Sequence, residues 1–215
     1  MSKVYLISGL GADSRLFKNV VLPAGYEVVL VDWLIPNYTD TLTIYSQKII
    51  NQYDINENSI VIGVSLGGMI SVEIAKQVKL DKVILISSIK TDKEAPWYFR
   101  FFRSIPVYKV IPGKLMPHTG FLIKPLFGNM SPDDLRLFKN MLSNSSPVFL
   151  KWAMQAALYW KNNVEFLNLY HVIGDNDLVF PCKNIKDPTA IIKDGTHIMV
   201  FNKANEINKL LADIL

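Results

Sequence analysis

Cys182 is the only cysteine in 215 residues, so the chain cannot close an internal disulfide, and a reducing compartment, the cytoplasm, is the expected setting. As a single residue it reads as a small, half-buried side chain. Histidine is scarce too: His118, His171 and His197 are the whole supply for any chemistry that needs an imidazole. An excess of one charge is nearly absent. Lys plus Arg number 23 against 19 Asp plus Glu, too small a margin to make nucleic acid the default partner. No apolar run approaches the roughly 20 residues that span a bilayer. The run Val4 to Ile7 is too short for a signal peptide and is broken by Gly9 and Gly11. No stable membrane insertion is therefore expected. Repeats, linkers and low-complexity tracts are missing as well. Half the residues are apolar and 20% are charged, which fits one globular domain with a full core.

What the chain does contain is strand and helix in alternation. Val4–Ser8, Glu27–Val31, Ser59–Val64 and Lys82–Ser87 are apolar runs of the kind buried on both faces of a parallel sheet. Between them, Thr41 to Tyr53 carries Ile44, Tyr45, Ile49 and Tyr53 at helical spacing, with Asp40 or Thr41 as cap. A second helix starts at Leu66 and runs through Val78. From Thr91 to Asn163 the alternation stops. Pro96 to Pro125 is rich in proline and aromatics, then Ser131-Pro132-Asp133-Asp134 and Ser146-Pro147 each open a helix. Strands resume at Phe166–Ile173 and Thr189–Lys193, and a helix over Lys203–Leu215 closes the chain. The expectation is a three-layer α/β sandwich with a mostly parallel six-stranded sheet. Residues 1–90 and 164–215 form its core, and a helical cap over 91–163 is inserted between the fourth and fifth strands.

The stretch Gly63-Val64-Ser65-Leu66-Gly67-Gly68 lies where a buried strand meets a helix. Gly-x-Ser-x-Gly at such a junction lifts a serine onto a sharp turn with its hydroxyl free. A serine hydroxyl is a weak nucleophile at neutral pH and needs a base, which needs an orienting acid. His118 falls in the proline-rich part of the cap, and His171 inside an apolar strand, as a core residue. His197 follows the last strand on a glycine loop, at the sheet edge where parallel α/β proteins place their ligands. Asp177, after the fifth strand, is placed to orient it. Asp175, Asp92 and Glu94 are the competing acids.

Taken together these segments resemble the α/β-hydrolase superfamily over everything except the cap. Ser8-Gly9-Leu10-Gly11-Ala12-Asp13 resembles the family's His-Gly loop, with Ser8 in place of the histidine, and Gly63 to Gly68 its elbow. Gly174-x-x-Asp177 with Pro181, and Gly195-Thr196-His197, resemble its acid and histidine segments. The two strands that usually precede this core are missing. The resemblance implies a Ser65–His197–Asp177 triad, prefers Asp177 over Asp175, and places the oxyanion hole at the backbone N–H groups of Leu10 and Leu66. It implies a serine ester hydrolase, needing no metal and no cofactor, while the composition of the cap is what points to esters or thioesters with apolar acyl groups.

The cap sequence bears on substrate. Lys90, Lys93, Arg100, Arg103, Lys109, Lys114 and Lys124 are interleaved with aromatics and offset only by Asp92 and Glu94. That pattern fits a solvated face over a packed core. It also fits a lid with an apolar wall and a basic rim for an anionic or carrier-linked substrate. Trp97, Phe101, Trp152 and Trp160 are the candidates for the wall. A dinucleotide-binding reading, from Gly9-x-Gly11 and Asp32, fails at its third glycine position, which is Ser14. Two other readings keep the fold. One is a ligand-binding or signalling protein without useful turnover, and the other a lyase, acyltransferase or C–C hydrolase on the same triad.

Overall fold

Six strands share one sheet in the order β2-β1-β3-β4-β5-β6. They are β1 (Ser2–Ile7), β2 (Tyr26–Val31), β3 (Ile60–Val64), β4 (Lys82–Ile86), β5 (Leu169–Gly174) and β6 (Ala190–Ile192). The computed structural model describes residues 2–106 and 127–215. All five pairings are parallel, so every strand delivers its following loop to the same edge. The chain steps from β1 outward to β2 and then back across to β3 on the other side. That reversal opens a crevice between the loops after β1 and β3, the place where open α/β sheets bind ligands.

Alternation within the strands feeds two cores. Tyr5, Ile7, Val61, Val83 and Leu85 face one layer with α1 (Leu42–Tyr53) and α2 (Leu66–Ala75). Val4, Leu6, Ile60, Ile62, Ile84 and Ile86 face the other, against the C-terminal helices. Thr41 is the cap of α1, its hydroxyl accepting from the Ile44 amide. α2 ends at Ala75, short of the expected Val78, where the Gln77 amide donates three residues back to the Ile74 carbonyl and leaves the four-residue pattern of the helix.

Between β4 and β5 the described chain forms α3 (Trp97–Ser104), α4 (Pro132–Asn144) and α5 (Pro147–Tyr159). Ser131 and Ser146 cap the last two as their sequences require, each followed by proline in the first turn. α3 falls in the stretch rich in proline and aromatics, where no individual helix was assigned. β5 starts at Leu169 rather than Phe166. Leu167 is fully exposed, and the Asn168 carboxamide donates to the Leu80 and Asp81 carbonyls, which holds a turn before the strand. After β6 comes a one-turn helix that the sequence did not suggest, α6 (Met199–Asn202), and then α7 (Ala204–Ile214), the closing helix expected over Lys203–Leu215. Among the described residues no helix is long and apolar enough to cross a membrane.

Candidate active site

β3 ends at Val64 and α2 begins at Leu66, which leaves one residue for the turn. That residue is Ser65, held at φ 55°, ψ −116°. A non-glycine residue pays strain to sit there, so the surroundings must fix it. Its amide donates to the Ile86 carbonyl at 3.0 Å, and its Oγ makes no capping bond to α2. Close packing does the rest. A Cβ on Gly67 would lie 2.2 Å from the Ile7 carbonyl oxygen and 2.4 Å from that of Ser8, both rigid backbone. Gly67→Ala is therefore expected to cost at least about 3 kcal/mol, since no flexible side chain can yield. A urea midpoint equal to the wild type's would show that α2 and β1 can part without loss.

The loops after β5 and β6 meet in the same way. The position a Cβ would take on Gly174 is 2.1 Å from the Gly195 carbonyl, and Asn176 N–H donates to that oxygen at 2.9 Å. This contact sets the loop of Asp177 beside the loop of His197. His197 Nδ1 lies 2.9 and 3.1 Å from the two Asp177 carboxylate oxygens, and Nε2 lies 2.9 Å from Ser65 Oγ. The Asp177 carboxylate is shut away from solvent, and the Val179 and Phe180 amides donate to its Oδ1 at 2.9 and 2.8 Å. His197 is 3% exposed, with the rings of Phe127 and Phe180 edge-on at 5.2 and 5.5 Å. An acid so held keeps the imidazole proton on Nδ1, and Nε2 then presents a lone pair to the hydroxyl.

The other acids go elsewhere. Asp175 is exposed. Asp92 pairs with Lys161 at 3.1 Å and accepts from the Asn162 amide, tying together the two ends of the insertion. Glu94 is buried and accepts from the Lys90 and Lys186 amides, and burial raises its pKa above the usual carboxylate range.

The loop after β1 runs directly against the nucleophile: a Cβ on Gly9 would be 3.2 Å from Ser65 Cβ. Ser8 Oγ donates to the Ala12 carbonyl at 3.0 Å, so serine at this position still braces the loop. The Leu66 amide opens α2 and has no carbonyl within the helix to receive it, and the helix dipole adds positive potential there.

The four expected wall residues divide between the core and the surface. Trp152 and Trp160 are buried and committed: their indole N–H groups donate to the Asp40 carbonyl and to Glu73 Oε1, at 2.7 and 2.8 Å. Trp152 packs on Tyr45, with ring centroids 4.3 Å apart. Trp97 and Phe101 are exposed on α3, and it is their neighbours that reach the acid loop. Tyr98 Oη donates to the Val179 carbonyl, and Phe99 packs on Phe180. Leu142 and Leu150 meet the loop after β1 at Gly11. Phe127, Phe180 and Ser88, which donates to the Ser65 carbonyl, were not singled out in the sequence. No motif marks them, although Phe180 follows Asp177 closely. His118, Lys109, Lys114 and Lys124 lie outside the described residues.

His171 is buried, as its apolar strand suggested. Nε2 donates to the Ser88 carbonyl at 2.9 Å, while Nδ1 has no partner. Burial, with Lys90 nearby, lowers its pKa to about 4, against the smaller opposing effect of the Ser88 bond. The unfolded chain takes up this proton below about pH 6.5. The folded protein resists it until about pH 4. Stability is thus expected to fall as pH drops through that window, by up to ~3 kcal/mol at its foot. Urea unfolding at pH 7 and pH 5 checks this: the pH-dependent loss should shrink in His171→Leu, and an equal loss in both proteins would refute it.

No family model and no curated protein matches the sequence. Solved structures match the fold. A thermophilic esterase from Thermogutta terrifontis shares 16% identity and a TM-score of 0.72, with 100% of this chain and 90% of that one covered. A hydrolase from Pseudomonas aeruginosa PA01 gives 12% and 0.75, with coverage of 99% and 89%. One of the epoxide hydrolases of the alpha/beta hydrolases superfamily from metagenomes of hot environments gives 14% and 0.73, with coverage of 99% and 90%. At these identities the likeness is one of fold, and the fold is that of the α/β-hydrolases.

Proposed function

We propose that the protein is a serine hydrolase that cleaves carboxylic esters or thioesters with apolar acyl groups. One observation carries the reading: a strained serine, a buried histidine and a buried aspartate joined by contacts of 2.9 Å from Oγ to Nε2 and 2.9 Å from Nδ1 to Oδ2. Ser65 Oγ attacks the acyl carbonyl as His197 Nε2 takes its proton. Asp177 steadies the imidazolium, and the Leu10 and Leu66 amides receive the oxyanion. The imidazolium then protonates the departing alcohol or thiol, leaving an acyl group on Ser65. Water, deprotonated by His197, releases that acyl group as a carboxylate. Phe127 and Phe180 beside His197, and Leu142 and Leu150 at the loop after β1, support an apolar acyl part. Helices α3 to α5 act as the cap, and α4 and α5 supply Leu142 and Leu150.

The test pairs p-nitrophenyl esters of increasing acyl length with a fluorophosphonate probe whose adduct is mapped by peptide mass spectrometry. The expected result is a burst of p-nitrophenol and a single adduct on Ser65. Adduct formation without steady turnover would favour a ligand-binding role. Transfer of the acyl group to an added alcohol in preference to water would favour an acyltransferase. An adduct on any other residue, or none at all, would overturn the proposal.

A further inference from the structure

The Leu66 amide shares one peptide plane with the Ser65 carbonyl, and that carbonyl is held from outside the triad. Ser88 Oγ donates to it at 2.6 Å. The same oxygen already accepts from the Gly68 and Met69 amides, at 2.9 and 3.3 Å. A carbonyl has two lone pairs, so a third donor is more than satisfaction of the group requires. Ser88 is completely buried just beyond β4, next to Ser87 at φ 48°. Its own carbonyl accepts from His171 Nε2 at 2.9 Å. Space for the contact is left by Gly68, where a Cβ would fall 2.4 Å from Ser88 Oγ.

We propose that Ser88 is a positioning residue of the oxyanion hole. It acts through the Ser65–Leu66 peptide, and His171 anchors its backbone. The inference rests on the hydrolase reading above. In a trans peptide the carbonyl and the N–H point opposite ways, so a donor on the Ser65 oxygen fixes the direction of the Leu66 N–H. It also draws electron density toward oxygen and leaves the amide hydrogen more positive, a cooperative strengthening of the donor. The benefit grows with charge on the bound oxygen and is therefore larger for the tetrahedral adduct than for the substrate carbonyl.

Ser88→Ala is expected to lower kcat on p-nitrophenyl acetate roughly tenfold, less than the loss of a whole oxyanion donor. KM should stay within about twofold, as for an interaction made only in the transition state. Affinity for a trifluoromethyl ketone, which forms the tetrahedral adduct, should fall with kcat. Ser88→Thr keeps the hydroxyl and should restore turnover. Ser88→Cys, close in shape and a weaker donor, should lie between. Independently of turnover, the Leu66 amide 15N resonance should move upfield in Ser88→Ala and not in Ser88→Thr. A folded Ser88→Ala with wild-type kcat and an unmoved Leu66 resonance overturns the role. So does a kcat loss that tracks the melting temperature and is matched by equal loss of affinity for the product carboxylate. Failure of the hydrolase reading looks different, because the wild type itself would then take no label on Ser65. That result removes the oxyanion and overturns the role with it.

Discussion

Ser65→Ala is expected to lower kcat on p-nitrophenyl esters by about 10⁶-fold while leaving the fold in place. The two halves of that expectation have separate causes. The hydroxyl oxygen meets His197 Nε2 at 2.9 Å and does not cap α2, so its removal takes away the attacking atom and little structural support. Alanine also carries a Cβ and suffers the same strain at φ 55° as serine, so the backbone gains no reason to relax. The change in stability should stay within about 1 kcal/mol. Some catalysis survives such a deletion in serine enzymes, about 10³ to 10⁴ over water, because the oxyanion donors and substrate binding are untouched. Retention of more than about a hundredth of wild-type kcat in repurified Ser65→Ala would place the nucleophile elsewhere. KM can be followed in the same assay and should move little, since the missing contact forms with the transition state.

The sheet was legible because each of its strands is a short apolar run, and alternation with helices leaves few topologies open. The elbow was legible for a steric reason. Gly63 and Gly67 are glycine because backbone atoms occupy the places their Cβ atoms would take, and such constraints are written directly into residue type. Asp177 was less distinct from Asp175 because both stand in one turn after β5. The distinction comes from the Val179 and Phe180 amides, which the turn aims at Asp177 Oδ1, and from the abutment of Gly174 on Gly195. Side-chain identity alone does not carry either contact.

The insertion was the least legible part, and the tryptophans show why. A large aromatic in an insertion has the same sequence signature whether it lines a pocket or fills a core. Trp152 and Trp160 fill the core because two buried acceptors, the Asp40 carbonyl and Glu73, receive their N–H groups. Both acceptors are remote in sequence, Asp40 just ahead of α1 and Glu73 on α2. Ser88 escaped notice for a related reason. It is the second of two adjacent serines after an apolar strand, and its partner is a main-chain oxygen that no sequence pattern marks.

Asp177→Asn is expected to lower kcat by about 10⁴-fold with the structure intact, and the reason lies in which atom each partner can offer. An asparagine can keep a carbonyl oxygen where Oδ1 now accepts from the Val179 and Phe180 amides, at 2.9 and 2.8 Å, so the loop has no cause to move. Its amide nitrogen then takes the place of Oδ2, 2.9 Å from His197 Nδ1. Two donors cannot face each other, so Nδ1 must give up its proton and become the acceptor. The neutral imidazole then carries its hydrogen on Nε2, aimed at Ser65 Oγ, where a base needs a lone pair. Asp175→Asn is the matched control, an exposed carboxylate in the same turn, and should leave kcat within about twofold. Urea midpoints for both variants should stay near the wild type's. A small effect of Asp177→Asn beside a large one of Asp175→Asn would transfer the orienting role. Small effects of both would mean that His197 is oriented by packing between Phe127 and Phe180 rather than by a charge.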